Sequence, residues 1–418
     1  MMKRLVILFS FTFTVLFINA QDIEGCTDPQ ANNYNSSATI NNGSCTYNPT
    51  IYKPVHRFLL PEEVDETSGL IFFADGFWTL NDSGGESIIY KLDTLNGKVI
   101  QRIKLKGAHN IDWEELAQDD AFIYVGDIGN NSGNRDDLAI YIVNKSDIPK
   151  TGDTEVDAEK IMYSYIDFPG RVERKKDNNF DCEAMVASDN WLYLFSKNRG
   201  DNKSKLYRLP KIAGEYTAEL LTTFNSSGLV TGADFNEDEQ KLVLVGYTNN
   251  EWIPFLWVMF DFEGEDFFSG NKRRIDMLNM TATQTEAICY THGKQGVLSS
   301  ESNPLFIQTL FDFNTAQWTD SAASASTERG ISDFDFVIAP NPVTKKKLKL
   351  YFKDLPLNNY QIAIYDSAER MVKTQEYKMK RYEDGVKVLI NLQDLKSGIY
   401  FVRVNSEKGM IEKKFIKE

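Results

Sequence analysis

The sequence predicts an all-β protein, a five- to six-bladed β-propeller followed by a small C-terminal β-sandwich. Short apolar runs that alternate with polar residues recur along nearly the whole chain, and helical periodicity is weak throughout. One motif returns five times between residues 51 and 315, which is how blades announce themselves. Charge divides the chain. Residues 21–335 carry 27 basic against 50 acidic residues, whereas residues 336–418 carry 17 against 10. The two parts face different surroundings.

Residues 1–20 open with Lys3 and Arg4, continue through an apolar run from Leu5 to Ile18, and end on Ile18-Asn19-Ala20. The run is too short to span a bilayer and reads as a signal peptide cut between Ala20 and Gln21. No other segment has the length of a transmembrane span, so the mature chain is expected to pass through the periplasm and be exported.

Residues 21–50 form a short Asn-rich module bracketed by Cys26 and Cys45. In an oxidising compartment the two cysteines are expected to pair, closing a loop that has almost no core of its own. Asp28, Asn32, Asn33, Asn35, Asn41 and Asn42 offer oxygen ligands of the kind calcium takes, or serve as turn residues. The stretch resembles a Cys-Thr-Asp-Pro…Asn-Tyr…Gly-Ser-Cys module of secreted bacterial surface proteins. Cys182 and Cys289 fall within two copies of the internal repeat and read as buried thiols.

The repeat motifs are Glu66-Thr-Ser-Gly-Leu-Ile71, Asp112-Trp-Glu-Glu-Leu-Ala117, Asp181-Cys-Glu-Ala-Met-Val186, Val230-Thr-Gly-Ala-Asp-Phe235 and Gln284-Thr-Glu-Ala-Ile-Cys289, starting 46, 69, 49 and 54 residues apart. An apolar run follows each, as in Phe122-Ile-Tyr-Val125 and Leu242-Val-Leu-Val245, and then a polar loop. Val55 to Leu60 precedes the first motif and is placed to close the ring. Residues 137–180 have room for a degenerate blade, so six positions are expected, with five as the alternative. Residues 316–335 have the composition of a linker.

In a propeller the motifs and the polar loops line one rim. The third motif residues are Ser68, Glu114, Glu183, Gly232 and Glu286, so three carboxylates should converge on a channel mouth, with Asp82, Asp127 and Glu301 close by. Like charges so placed raise one another's pKa, and a divalent cation relieves them. An oxygen-only set suits calcium or magnesium. The competing reading is architectural: each glutamate accepts backbone amides where two blades meet. The long loop Asp127 to Arg135, with Asn130, Asn131 and Asn134, departs from its counterparts and is a binding candidate, as is Lys197.

Residues 336–418 begin Phe336-Val-Ile-Ala-Pro-Asn-Pro342 and hold four strand-like runs: Leu348–Phe352, Gln361–Tyr365, Val386–Ile390 and Ile399–Val404. With Leu395-Lys-Ser-Gly398-Ile-Tyr-Phe-Val-Arg403 and the closing Lys413-Lys-Phe-Ile-Lys417, the segment resembles the type A C-terminal sorting domain of bacterial type IX secretion. That resemblance implies type IX machinery as partner and delivery to the medium or outer cell surface.

Residues 112–117 and Tyr124-Val-Gly-Asp-Ile-Gly-Asn-Asn-Ser-Gly-Asn-Arg135 resemble secreted bacterial propellers loosely related to phytase-like and lactonase-like ones. The resemblance implies Glu114, Glu183 and Glu286 as metal ligands, with Asp127 as a further ligand or base, and calcium as the cofactor. A phytase-type site also wants several basic residues at that rim, where only Lys197, Arg199 and Arg135 are placed. The acidic body excludes nucleic acid as ligand. The three histidines sit near no nucleophile elbow, and no phosphate-cradling or dinucleotide glycine loop is present. A binding propeller with a cation at its rim is therefore expected, rather than an enzyme; the alternative is a calcium-dependent hydrolase of phosphoester or lactone substrates.

Overall fold

In the computed structural model, residues 22–320 are described apart from 281, 304 and 305. In the tail, residues 336–418 are described apart from 339–341, 344–345, 353–358, 367–370, 379–380, 383–384 and 407–408. The predicted signal peptide, its cleavage site at Ala20 and Gln21, and residues 321–335 of the predicted linker lie outside the described residues. The chain divides into two compact units, residues 1–324 and 325–418.

Five blades make up the first unit. Blade one is Thr67–Phe73, Gly76–Asn81, Ile88–Leu92 and Val99–Lys106. Blade two is Trp113–Gln118, Phe122–Asp127, Ala139–Asn144 and Glu159–Tyr165. Blade three is Cys182–Ser188, Trp191–Ser196, Ser204–Pro210 and Gly214–Phe224. Blade four is Leu229–Asn236, Lys241–Tyr247, Pro254–Phe260 and Asn271–Asp276. Blade five is Thr285–His292, Gln295–Ser300 and Thr309–Asn314, completed by Val55–Leu59 from before blade one. The strand that precedes blade one thus zips the ring shut, as its sequence suggested.

The expected sixth position does not form. Ile140 to Val143 and Lys160 to Tyr165 are the third and fourth strands of blade two. Between them the chain detours to lay Thr154–Asp157 in parallel on the edge of blade one. That detour, not an extra blade, accounts for the long second interval. The outer strand of blade two also pairs in parallel with that of blade three, merging both into one eight-stranded sheet.

Packing explains why period 2 fades near the axis. The inner strands are buried on both faces, as in Trp113–Gln118 and Cys182–Ser188, so apolar residues need not alternate there. Outer strands such as Val99–Lys106 keep a buried-exposed alternation. Five apolar clusters fill the five gaps between successive blades, and the last one joins Leu70 and Phe77 of blade one to Ala287 and Val297 of blade five.

Cys26 and Cys45 are disulfide-bonded, while Cys182 and Cys289 are free and buried. The N-terminal module rests on blade four. Arg273 donates to Gln30 at 2.6 Å and lies 5.0 Å over the Tyr47 ring, and Asn41 donates to Asn271 at 3.0 Å. Its candidate calcium oxygens serve the module's own turns. Asp28 accepts from the Gln30 amide and the Tyr47 hydroxyl, and Asn33, Asn35, Asn41 and Asn42 accept amides within the module. At the other end, the predicted linker starts later than expected. Ala316–Thr319 is a helical turn whose Trp318 is buried edge-on against Tyr52, 5.0 Å between ring centroids.

The second unit is a two-sheet sandwich. One sheet runs Phe336–Ile338, Lys347–Phe352, Gly385–Asn391, Arg381–Tyr382, the other Met371–Lys378, Asn359–Asp366, Gly398–Ser406, Gly409–Lys417. Leu348, Leu350, Ile362, Ile364, Val402 and Phe415 fill the space between them.

Candidate functional site at the channel mouth

Each inner strand skips one residue near its start in its pairing with the next strand. The unpaired residues are Gly69, Glu114, Glu183, Thr231 and Glu286. A bulge re-aims the side chain it displaces. Here it turns Glu114, Glu183 and Glu286 out of the ladder and into one cavity of about 370 Å³. The third-residue alignment is therefore right for three blades and off by one in the other two. In those blades Ser68 donates to the Glu114 carbonyl at 2.6 Å and Thr231 to the Thr285 carbonyl at 2.5 Å, bonds that join neighbouring blades.

The cavity also takes in Asp82, Asn131, Lys197, Arg199 and Glu301, so most of the expected rim converges. Asp127 does not. It is buried, accepts the Asp112 amide at 3.0 Å and pairs with Arg135 at 3.0 Å, so its charge holds the loop in place. Arg135 adds bonds to the Gly129 carbonyl and to Asp137, and Asn130 uses its side-chain oxygen on the amides of Asn134 and Arg135. Asp127, Asn130, Asn134 and Arg135 are the scaffold behind the cavity wall, while Asn131 is its surface.

The three bulge glutamates have different neighbours. Glu183 is bonded to Lys197 and lies 3.7 Å from Arg199, which also holds Asp181 at 2.9 Å. Glu286 accepts a long bond, 3.3 Å, from the Gln284 side-chain amide. Glu114 is 3% exposed, and its Oε1 is buried with no hydrogen-bond partner among the described residues. One carboxylate oxygen from each of Asp82, Asp112 and Glu114 lies within 4.8 Å of the others. Glu114, Asp181 and Glu183 form a second such trio, but Lys197 and Arg199 already balance it. Gly129 leaves the room this needs, since a β-carbon there would fall 2.5 Å from both the Asp112 carboxyl and Glu114 Oε1.

The electrostatics follow from this crowding. Burial, then Glu183, Asp82, Asp181 and Asp112, push the Glu114 carboxyl well above the usual range. Burial with Asp82 and Asp181 raises Asp112 to about 6. Burial lifts Glu301 to about 7 against the pull of Lys197, and Glu286 is raised in the same way. Burial works against the charge of Lys197, yet Glu183, Tyr247 and Glu286 together outweigh it and hold the ammonium well above the ordinary lysine range. The mouth therefore has a balanced side around Lys197 and an unbalanced side around Glu114.

The architectural reading of the glutamates applies to the next residue along. Glu115, fully buried, accepts the amides of Leu70, Leu116 and Ala233 from three blades. Sequence reasoning passed over it, along with Asp112 and Asp181, although an acid recurs at the first motif position in Glu66, Asp112 and Asp181. Tyr247, Asn249 and Trp252 of blade four also line the cavity; their loop carries no repeat signal.

Residues 337–418 match the family model of the Secretion system C-terminal sorting domain. The tail is a type IX sorting domain, and the protein is exported, either secreted or displayed at the cell surface. No helix among the described residues is long and apolar enough to cross a membrane. No curated protein matches the sequence. Among solved structures, an exo-beta-1,3-galactanase from Phanerochaete chrysosporium is similar at 10% identity and a TM-score of 0.44, over 87% of this chain and 99% of that one. A mannose phosphorylase from Leishmania mexicana gives 11% and 0.36, over 64% and 89%. The hydrazine synthase of Kuenenia stuttgartiensis gives 13% and 0.32, over 62% and 65%. Likeness at this level says nothing about chemistry.

Proposed function

We propose that the exported body is a binding propeller whose channel mouth holds a divalent cation and, beside it, a ligand. The cation is placed between Asp82, Asp112 and Glu114, an oxygen-only set that suits calcium or magnesium. One observation carries this reading: Glu114 Oε1 is buried beside acidic neighbours, without a partner among the described residues. A buried carboxylate is costly unless it is neutralised or paired, and a cation pairs several at once. Glu183, expected at first as a ligand, instead holds Lys197 in place.

The test is thermal melting of the mature full chain in EDTA and in millimolar calcium, with Glu114→Gln beside it. The variant loses a crowded charge and should fold at least as well without metal. Calcium should raise the melting temperature of the parent and leave Glu114→Gln unmoved. Equal shifts in both, or none in either, sink the proposal.

A hydrolase is the second reading, favoured by the pKa values of about 6 at Asp112 and about 7 at Glu301, suited to proton transfer at neutral pH. Phosphoesters are the weaker substrate class, because Lys197 and Arg199 are already paired with Glu183 and Asp181 and Arg135 stands behind the wall. A panel of esters, lactones and phosphoesters, with Glu114→Gln as control, decides it: no turnover by the parent removes this reading.

A further inference from the structure

The rim of blade four holds a backbone outlier. Trp252 sits in the loop between Lys241–Tyr247 and Pro254–Phe260 at φ 50°, the left-handed region where glycine is the usual occupant. Its amide bonds the Thr248 carbonyl at 3.0 Å, and its carbonyl accepts the Ala282 amide at 2.8 Å. Ala282, from the chain leading into blade five, is itself at φ 70°. Two strained residues thus hold each other at the cavity mouth. The indole they position is not tucked away: Trp252 is 41% exposed, lines the cavity, and packs on Tyr247 at 6.3 Å between ring centroids. Strain that places a large aromatic half in water needs a reason other than core packing.

Beside it, a second hollow of about 440 Å³ is lined by Asn202, Asn225, Asn249 and Asn250 with Thr248 and Glu251. Asn249 lines both hollows and donates to Asn202 at 3.2 Å, so the two lie side by side at the rim. A carboxamide both donates and accepts, which suits adjacent hydroxyl groups. An indole face suits a surface that is apolar on one side and polar at its edge. A sugar ring has both. The unbalanced acids around Glu114 disfavour anionic ligands, and a hollow lined by four asparagines against the single carboxylate of Glu251 favours a neutral one.

We infer that the ligand of this mouth is a neutral oligosaccharide, with Trp252 as the platform for one ring and the asparagine hollow taking the next. This names the ligand of the binding reading above and rests on it. The saccharide contacts are nevertheless separate from the cation trio, so the two stand or fall by different variants.

The test titrates the mature full chain with neutral gluco-, manno-, xylo- and galacto-oligosaccharides of two to six rings, following tryptophan fluorescence and heat, in calcium and in EDTA. At least one series should bind, more tightly as the chain lengthens to fill both hollows. Trp252→Ala should weaken that binding about tenfold or more. Binding by no series in either buffer, or binding that Trp252→Ala leaves intact, overturns the inference. Glu114→Gln distinguishes the two proposals: saccharide binding retained there, with the calcium shift gone, supports each separately. Saccharide binding without any calcium shift in the parent removes the cation and leaves the saccharide site standing.

Discussion

Glu115 of blade two accepts the backbone amide of Ala233 in blade four at 3.0 Å, across 118 residues of sequence. Its other oxygen takes the amides of Leu70 in blade one and Leu116 in its own strand, at 3.3 and 2.9 Å. A single carboxylate therefore ties three inner strands around the axis. Removing it orphans buried amides, each worth about 1–3 kcal/mol. Glu115→Ala should lower the stability of the propeller by on the order of 3 kcal/mol or more, and Glu115→Gln by much less, since one acceptor oxygen remains. Urea unfolding measures both; a Glu115→Ala midpoint equal to the parent's would make the tie irrelevant.

Lys197 is the counter-charge of Glu183, with both nearly inaccessible to water. Lys197→Met leaves a buried carboxylate facing only Arg199 at 3.7 Å, at a cost of about 3 kcal/mol. The sign with pH is definite. Without Lys197 the folded-state pKa of Glu183 rises further above its unfolded value, so the folded protein binds the extra proton and the loss shrinks as pH falls. Unfolding at pH 8 and pH 5 should show a smaller deficit at pH 5. Lys197→Met with Glu183→Gln should recover most of it; no recovery would mean that the lysine matters for its packing on Tyr247, 5.2 Å from the ring centroid.

How much of this was legible depends on where each signal resides. The tail was readable because Pro340-Asn341-Pro342 and Lys413 to Lys417 are local, and the five motif copies located the inner strands. The blade count was blurred by one local event, the detour of Thr154–Asp157 onto the edge of blade one, which depends on a neighbour 51 residues away, as in Thr154 opposite Ile103. The rim carboxylates were found because bulges repeat with the motif. Asp127 stays out of the cavity because its partner Arg135 captures it through the fold of the loop, and spacing alone does not reveal a side chain's partner. Trp252 could be read from the sequence only as an exposed aromatic able to stack on a sugar; its left-handed φ is set by contacts to Thr248 and Ala282, which no local pattern shows.

Asp234 stands toward the opposite end of the channel, where it accepts the Tyr290 amide at 2.7 Å. Burial raises its carboxyl to about 7 against the pull of the Tyr290 and Phe235 amides. A folded pKa above the unfolded one means stability present at low pH and lost as pH rises towards 7. With partial exposure allowed for, the loss is on the order of 1–2 kcal/mol. Asp234→Asn keeps an acceptor for the amide and should flatten melting temperature against pH between 5 and 8. A slope unchanged in the variant assigns the effect to other acids.

The disulfide of Cys26 and Cys45 closes a loop with a sequence separation of 19, worth about 3 kcal/mol. Because the module rests on blade four through Arg273 and Asn271, reduction should speed amide exchange first in residues 22–48 and along Asn271–Asp276. Glu114 and its neighbours, which belong to blades one to three, should exchange as before. Cys182 and Cys289, 0% and 1% exposed, should resist thiol reagents in the folded protein. Rapid labelling of either would place it at the surface.

Trp252 supplies the sharpest test of strain kept for function. A left-handed backbone costs an L-residue about 1–2 kcal/mol, and glycine avoids that while giving back about 0.5–1 kcal/mol in chain entropy. Most exposed residues lose stability on replacement by glycine. Trp252→Gly should instead leave stability unchanged or raise it by up to about 1 kcal/mol, because φ 50° suits glycine and the indole is 41% exposed. Saccharide binding should fall in the same variant. Stability and binding would then move apart, as expected where a rim residue is held in a costly conformation for its ligand. A loss of 1 kcal/mol or more in chemical denaturation would show that the contact with Tyr247 is structural packing, and the indole would lose its claim to a ligand.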